Sequence, residues 1–177
     1  NEFDNTASWQ VVGALNNPII AQNETDPFSG LSAWNLEDIF TSSIGIAYIK
    51  QQGLFPTLNS SYTFSLFIKQ GTSPISYFNF IPTGGQSVLP TGYKLLWSAG
   101  KPVISPFTAT PPGVDPNHII HDPVDVGAGW FRVAITHSSL YLADNTNYSL
   151  QIHPAGPLQS AVGSLIMYGA QLEKGSV

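Results

Sequence analysis

Hydrophobic and polar positions alternate along this chain in short runs, broken every few residues by glycine or proline. The clearest run is Tyr62-Thr-Phe-Ser-Leu-Phe-Ile-Lys69, β-branched and aromatic, closed by Gln70-Gly71. Strand patterns of the same kind fall at Ile44–Gln51, Ile75–Ile81, Tyr93–Ser98, Trp130–His137, Tyr148–His153 and Leu165–Leu172, with weaker ones at Val11–Val12 and Ile19–Gln22. The best helical candidate, Leu36 to Phe40, is short. The 16 glycines and 14 prolines leave little room for long helices. About eight strands without helical interludes predict an all-β chain, an antiparallel β-sandwich of the jelly-roll type. A parallel sheet is disfavoured because its crossovers require helices.

The stretch Pro102–Pro123 breaks this rhythm with prolines at 102, 106, 111, 112, 116 and 123. Proline has no N–H for a central ladder, so the segment reads as an extended surface connection or an edge. With 177 residues and no dividing linker, the chain reads as a single jelly-roll domain over 1–177, with a Pro-rich extended insertion at about 101–123. It begins at Asn1 without a leader pattern, as a mature product or a piece of something longer would.

Composition excludes more than it identifies. There is no cysteine, which removes disulfides, zinc–thiolate sites and thiol nucleophiles. Six scattered basic residues against eleven acids give a net charge of −5. Phosphate-backbone binding needs clustered Lys and Arg, so nucleic acid is not an expected partner. Neither is a membrane: there is no polybasic patch and no apolar run near the ~20 residues that span a bilayer.

No pair among the eleven carboxylates stands out as a glycosidase dyad, and Gly-x-Ser-x-Gly, P-loop and Gly-x-Gly-x-x-Gly patterns are absent. His118 and His121 would make a metal pair on a helix, but on a strand their rings point to opposite faces. The sequons at Asn23, Asn59 and Asn147 are what an Asn/Ser/Thr-rich chain contains by chance. The aromatics say more. On Tyr62–Lys69, alternation puts Tyr62, Phe64, Leu66 and Ile68 towards a core, and Thr63, Ser65, Phe67 and Lys69 on the other face. A half-polar face with one aromatic suits sugar stacking, and it equally suits packing against a loop or a subunit. Trp34, Tyr93, Trp97 and Tyr141 are further aromatics of this kind, whereas Trp9 and Trp130 read as core.

Four pieces, in order, resemble a module that recurs in bacteriophage tail-fibre and other virion proteins. They are Asn1-Glu-Phe-Asp-Asn5 with Trp9, leading into Asn23-Glu-Thr-Asp-Pro-Phe-Ser-Gly30; the strand Tyr62–Lys69; Val126-Gly-Ala-Gly-Trp-Phe-Arg-Val133; and Tyr168-Gly-Ala-Gln-Leu-Glu-Lys-Gly175. The glycines at 127 and 129 allow the positive-φ turn that starts a strand. Arg132 shares the face of Trp130, where it can lie along that ring or pair with an acid such as Glu173. The Pro-rich insertion is not part of the family pattern.

The resemblance implies a jelly-roll sandwich akin to carbohydrate-binding modules and concanavalin-like domains. It implies a non-catalytic role on a virion surface, in a tail fibre or spike, with a host-surface glycan and other virion proteins as partners and a homo-oligomer such as a trimer as the assembly. Phe67 and Trp97 are the expected stacking rings, Lys69 and Gln171 the hydroxyl partners, and Tyr93 a further carbohydrate-binding residue. No cofactor is expected apart from a possible structural calcium, for which Glu2, Asp4 and Glu173 offer oxygens. A capsid decoration or fibre protein acting through assembly, or a glycan-degrading enzyme, are the alternatives.

Overall fold

The computed structural model describes residues 9–12, 19–39, 48–54, 60–82, 91–107, 118–138, 148–155 and 162–175. Thirteen strands run through them: β1 Trp9–Val12, β2 Ile19–Glu24, β3 Ala33–Asp38, β4 Tyr48–Leu54, β5 Ser61–Gln70, β6 Ile75–Pro82, β7 Thr91–Ser98, β8 Lys101–Phe107, β9 Ile119–Ile120, β10 Val124–Gly127, β11 Trp130–Ser138, β12 Tyr148–His153 and β13 Gly163–Lys174. They form two antiparallel sheets. One has six strands in the order β1-β4-β12-β6-β7-β8. The other has seven, in the order β10-β11-β5-β13-β3-β2, with β9 beside β11. The all-β jelly-roll sandwich expected from the pattern is the architecture observed.

Alternation explains why the sheets stack. On β5, Phe64, Leu66 and Ile68 point inward. Phe131, Val133 and Ile135 do so from β11, and Leu165 and Met167 from β13. The facing sheet answers with Ile49, Phe78, Tyr93, Leu95, Leu150, Ile152 and Trp9. Phe64 meets Phe78 edge-on, with ring centroids 6.0 Å apart, so one apolar layer joins the two sheets.

One expectation is corrected here, and one, the Pro-rich stretch read as a surface connection or an edge, begins as an edge. Of the helical candidate Leu36 to Phe40, Leu36, Glu37 and Asp38 lie in strand β3, because pairing with β2 on one side and β13 on the other overrides local propensity, and Phe40 lies outside the described residues. The beginning of the Pro-rich stretch forms β8, which pairs with β7 alone at the margin of its sheet. Pro102 and Pro106 are tolerated there because an edge strand has N–H positions that need no partner. Residues 108–117 lie outside the described residues.

Two hairpins turn on left-handed residues, the first of them at the glycines the sequence singled out. The β10–β11 hairpin passes through Gly127, Ala128 and Gly129 at φ of 91°, 53° and 78°. Asp125 Oδ1 accepts the Gly127 N–H at 2.8 Å and closes it. The β7–β8 hairpin turns on Ala99 and Gly100, both left-handed at φ of 50° and 77°. That is the type I′ geometry of two-residue hairpins.

Candidate functional site

The outward face of the seven-stranded sheet is assembled by register. Phe67 on β5 stands opposite Arg132 on β11 and opposite Tyr168 on β13. Lys69, two residues on, stands between Trp130 and Ile166. Cross-strand partners share a face, with Cβ atoms about 5 Å apart, so these side chains form one surface. β13 carries a bulge between Tyr168 and Gln171, so that Gln171 pairs with Ser65. In an unbroken strand, residues three apart point to opposite faces. The extra residue brings Gln171 out on the same side as Tyr168 and turns Ala170 into the core. Gly169, at φ of 60°, makes the bulge, and a Cβ there would lie 3.7 Å from Phe67 Cδ2.

A loop adds a third ring. The Asp26 carboxylate folds residues 26–32 around itself. Oδ1 accepts the N–H of Phe28 at 2.8 Å and of Gly30 at 2.9 Å, and Oδ2 accepts the Ser32 hydroxyl at 2.5 Å. The Ser32 hydroxyl above all, helped by the backbone N–H donors, holds this carboxyl below its ordinary value of 3.8, against the opposing effect of burial. The loop lifts Phe28 into solvent at 69% exposure. Its ring still meets Phe67 edge-on at 5.6 Å and Tyr168 at 5.9 Å, while Phe67 and Tyr168 stand 6.2 Å apart. The result is a three-ring aromatic patch bordered by Lys69, Arg132 and Gln171. Arg132 Nη2 donates to Ser65 Oγ at 3.3 Å, and Arg132 forms no ion pair with Glu173 or any other described residue.

Of the five expected carbohydrate-binding residues, Phe67, Lys69 and Gln171 meet on this face. Tyr93 and Trp97 do not. Tyr93 is wholly buried between the sheets with its hydroxyl 2.9 Å from His137 Nε2, so it offers nothing to a ligand. Trp97 belongs to the same inward row of β7 and packs edge-on against Phe131 at 6.1 Å, which removes it as a stacking ring of the outer face. The misassignment is one of parity. Leu95 and Leu96 are both apolar, so the run 93–97 has no clean alternation to show which side faces in. Phe28, Tyr168 and Arg132 were legible only as parts of family-like motifs, because what joins them is register between distant strands.

Other expectations are placed as follows. Trp9 is buried in the core and Trp34 packs against it. Trp130 is buried too, but on the outward side, opposite Lys69. His118 meets Tyr93 at 5.5 Å on the inner side, whereas His121 Nε2 lies 2.8 Å from Thr136 Oγ1 on the outer side. The two rings diverge as a strand requires. Tyr141, Glu2, Asp4, Asn59 and Asn147 lie outside the described residues. Among the described residues, no three His, Asp or Glu side chains gather into a metal-holding group, and Glu173, the remaining calcium candidate, is exposed on β13.

The outer face of the six-stranded sheet carries a second polar cluster. His153 on β12 stacks on Tyr48 of β4 at 4.8 Å and 28°. Its Nε2 stands 3.1 Å from Asn79 Nδ2 and 3.3 Å from Gln151 Oε1, and its Nδ1 is buried without a partner. Burial pushes its pKa down from 6.5 to about 4.

No family model matches the sequence, and no curated protein matches it. Solved structures do match in fold. The enzymatically active domain of bacteriophage CBA120 tailspike protein 4 superimposes with a TM-score of 0.55 at 10% identity, over 98% of this chain and 20% of that one. This chain thus spans about a fifth of that tailspike chain. A carbohydrate-binding module, CBM4, superimposes with a TM-score of 0.52 at 10% identity, over 98% of this chain and 92% of that one. At such identity the likeness is one of fold: the sandwich is of the kind carbohydrate-binding modules use.

Proposed function

We propose that this chain is a non-catalytic carbohydrate-recognition module, and that it serves on the surface of a phage particle as part of a tail fibre or spike. The observation that carries the recognition is the patch formed by the exposed Phe28 and the half-buried Phe67 and Tyr168, with Lys69, Arg132 and Gln171 at its border. Sugars offer C–H faces to aromatic rings and hydroxyls to amide and cationic donors, and this face supplies both within one register. The fold shared with a carbohydrate-binding module and a tailspike domain supports the reading, as do the virion-like sequence motifs.

A glycan array, followed by calorimetry on each hit, tests it. Phe67→Ala and Phe28→Ala are expected to weaken binding by about tenfold each, from the stacking energy lost, without lowering the melting temperature by more than a few degrees. Silence across the array, with the same face covered in a stable oligomer seen by sedimentation, would overturn recognition and leave assembly as the role.

A further inference from the structure

Among the described residues, no acid pairs with either of the site's two cations. Arg132, the chain's only arginine, is bounded by Phe67 across one ladder and Val124 across the other, with Trp130 and Ala134 along its strand. Lys69 is bounded by Trp130, Ile166 and Phe67. A Cβ at Gly129 would lie 3.8 Å from Lys69 Cε, which places the lysine stem beside the hairpin that leads into Trp130. Every one of these neighbours is uncharged. The carboxylates on the same face, Glu173 opposite Thr63 and Glu37 opposite Ser164, bond to neither cation. In a chain of net charge −5, these two half-buried cations, flanked by apolar side chains, form no ion pair with any acid among the described residues.

We infer that the carbohydrate this face takes is acidic: a uronate-bearing saccharide whose ring stacks on Phe67 and whose carboxylate is held by Arg132, with Lys69 as the second cation. The inference rests on the carbohydrate reading above and names its ligand class. Three points carry it. Arg132 is directly opposite Phe67, so a substituent at the edge of a sugar ring lying over the phenyl reaches the guanidinium within one cross-strand spacing of about 5 Å. Arg132 Nη2 is already steadied by Ser65 Oγ, which leaves the remaining planar donors for a carboxylate that can accept two of them. The apolar surround lowers the local dielectric and strengthens the pairing. A uronate also has the shape the site offers, an apolar pyranose face and one lateral anion.

The test is affinity electrophoresis and calorimetry of the whole chain. The probes are oligogalacturonate, alginate oligosaccharides, hyaluronan oligosaccharides and glucuronoxylan, each paired with its carboxyl-reduced counterpart. Binding to at least one acidic member is expected, falling roughly tenfold or more on carboxyl reduction and similarly in Arg132→Gln, with affinity declining as salt rises. Arg132→Lys should recover part of the loss. Lys69→Gln, a change at the surface that leaves the ladder intact, should weaken acidic binding alone and guards against a folding defect at position 132. Equal binding of acidic and reduced forms, or binding confined to sulfated or phosphorylated glycans, overturns the inference while leaving carbohydrate recognition standing. Silence towards every sugar, acidic or neutral, overturns recognition and the inference with it.

Discussion

His153 gives the fold a measurable weakness in mild acid. The ring is enclosed by Tyr48, Asn79 and Gln151, and a proton added to it would leave a charged Nδ1–H without an acceptor. Its pKa is about 4 in the folded chain against 6.5 as its ordinary value. Above pH 6.5 the ring is neutral whether folded or unfolded, and stability does not depend on it. Between 6.5 and 4 the unfolded chain takes a proton that the folded chain refuses, so stability falls as pH falls, by about 1.4 kcal/mol per pH unit. The full loss is about 3 kcal/mol at pH 4, a large share of the ~5–15 kcal/mol that holds a typical domain. Below pH 4 both states are protonated and this contribution is flat. Urea unfolding at pH 7.5, 6.5, 5.5 and 4.5 reads the effect as a midpoint shift. With a slope near 2 kcal/mol per molar, the midpoint should fall by about 1.3 M between pH 7.5 and 4.5. Carboxylates also titrate towards the acid end, so the decisive quantity is the difference from His153→Gln, whose midpoint should fall much less. A His153→Gln profile as steep as that of the unaltered chain would refute the reasoning.

Three further outcomes are expected. Gly30→Ala would set a Cβ inside contact distance of Asp26 Oδ2, a carboxylate already fixed by Phe28, Gly30 and Ser32. The loop should lose its shape, with glycan affinity falling about as far as in Phe28→Ala while the melting temperature drops by roughly 2–4 °C. Ala99→Asn replaces a left-handed alanine in the β7–β8 turn with a residue that tolerates that conformation, and calorimetry should show a gain of about 0.5–1 kcal/mol. Leu66→Ala, at a wholly buried position on the central strand β5, should cost about 2–5 kcal/mol in chemical denaturation, and a loss below 1 kcal/mol would contradict the placement of that strand in the core.

How far sequence reasoning reached can be judged strand by strand. Tyr62–Lys69 alternates cleanly, and its inward and outward rows are those observed. With it came Phe67 and Lys69. Gln171 was found through its motif, although no alternation rule would put it beside Tyr168, since the bulge that does so has only a glycine as its trace. Thr91–Ser98 shows the converse: adjacent leucines hide the parity, and Tyr93 and Trp97 were placed on the surface when they belong inside. Ala33–Asp38 is polar enough to suggest a short helix, and only its two neighbouring strands decide otherwise. Phe28 was invisible as a site residue because nothing in the turn of residues 26–32 says which distant rings it will meet. Local pattern reports the strand and its faces. Which strand lies beside which is a property of the whole chain.

The bulge in β13 also shapes what can lie on the face. A bulged strand bends and twists more sharply at that point. The surface therefore has two parts meeting at an angle: rings and cations on the side of Ile166 and Tyr168, and the exposed amide of Gln171 and carboxylate of Glu173 on the other side. A stiff, straight polymer lies flush with one part and lifts away from the other. A chain that turns along its own length can follow both, so the curvature of the polysaccharide, and not only its composition, becomes something this surface distinguishes.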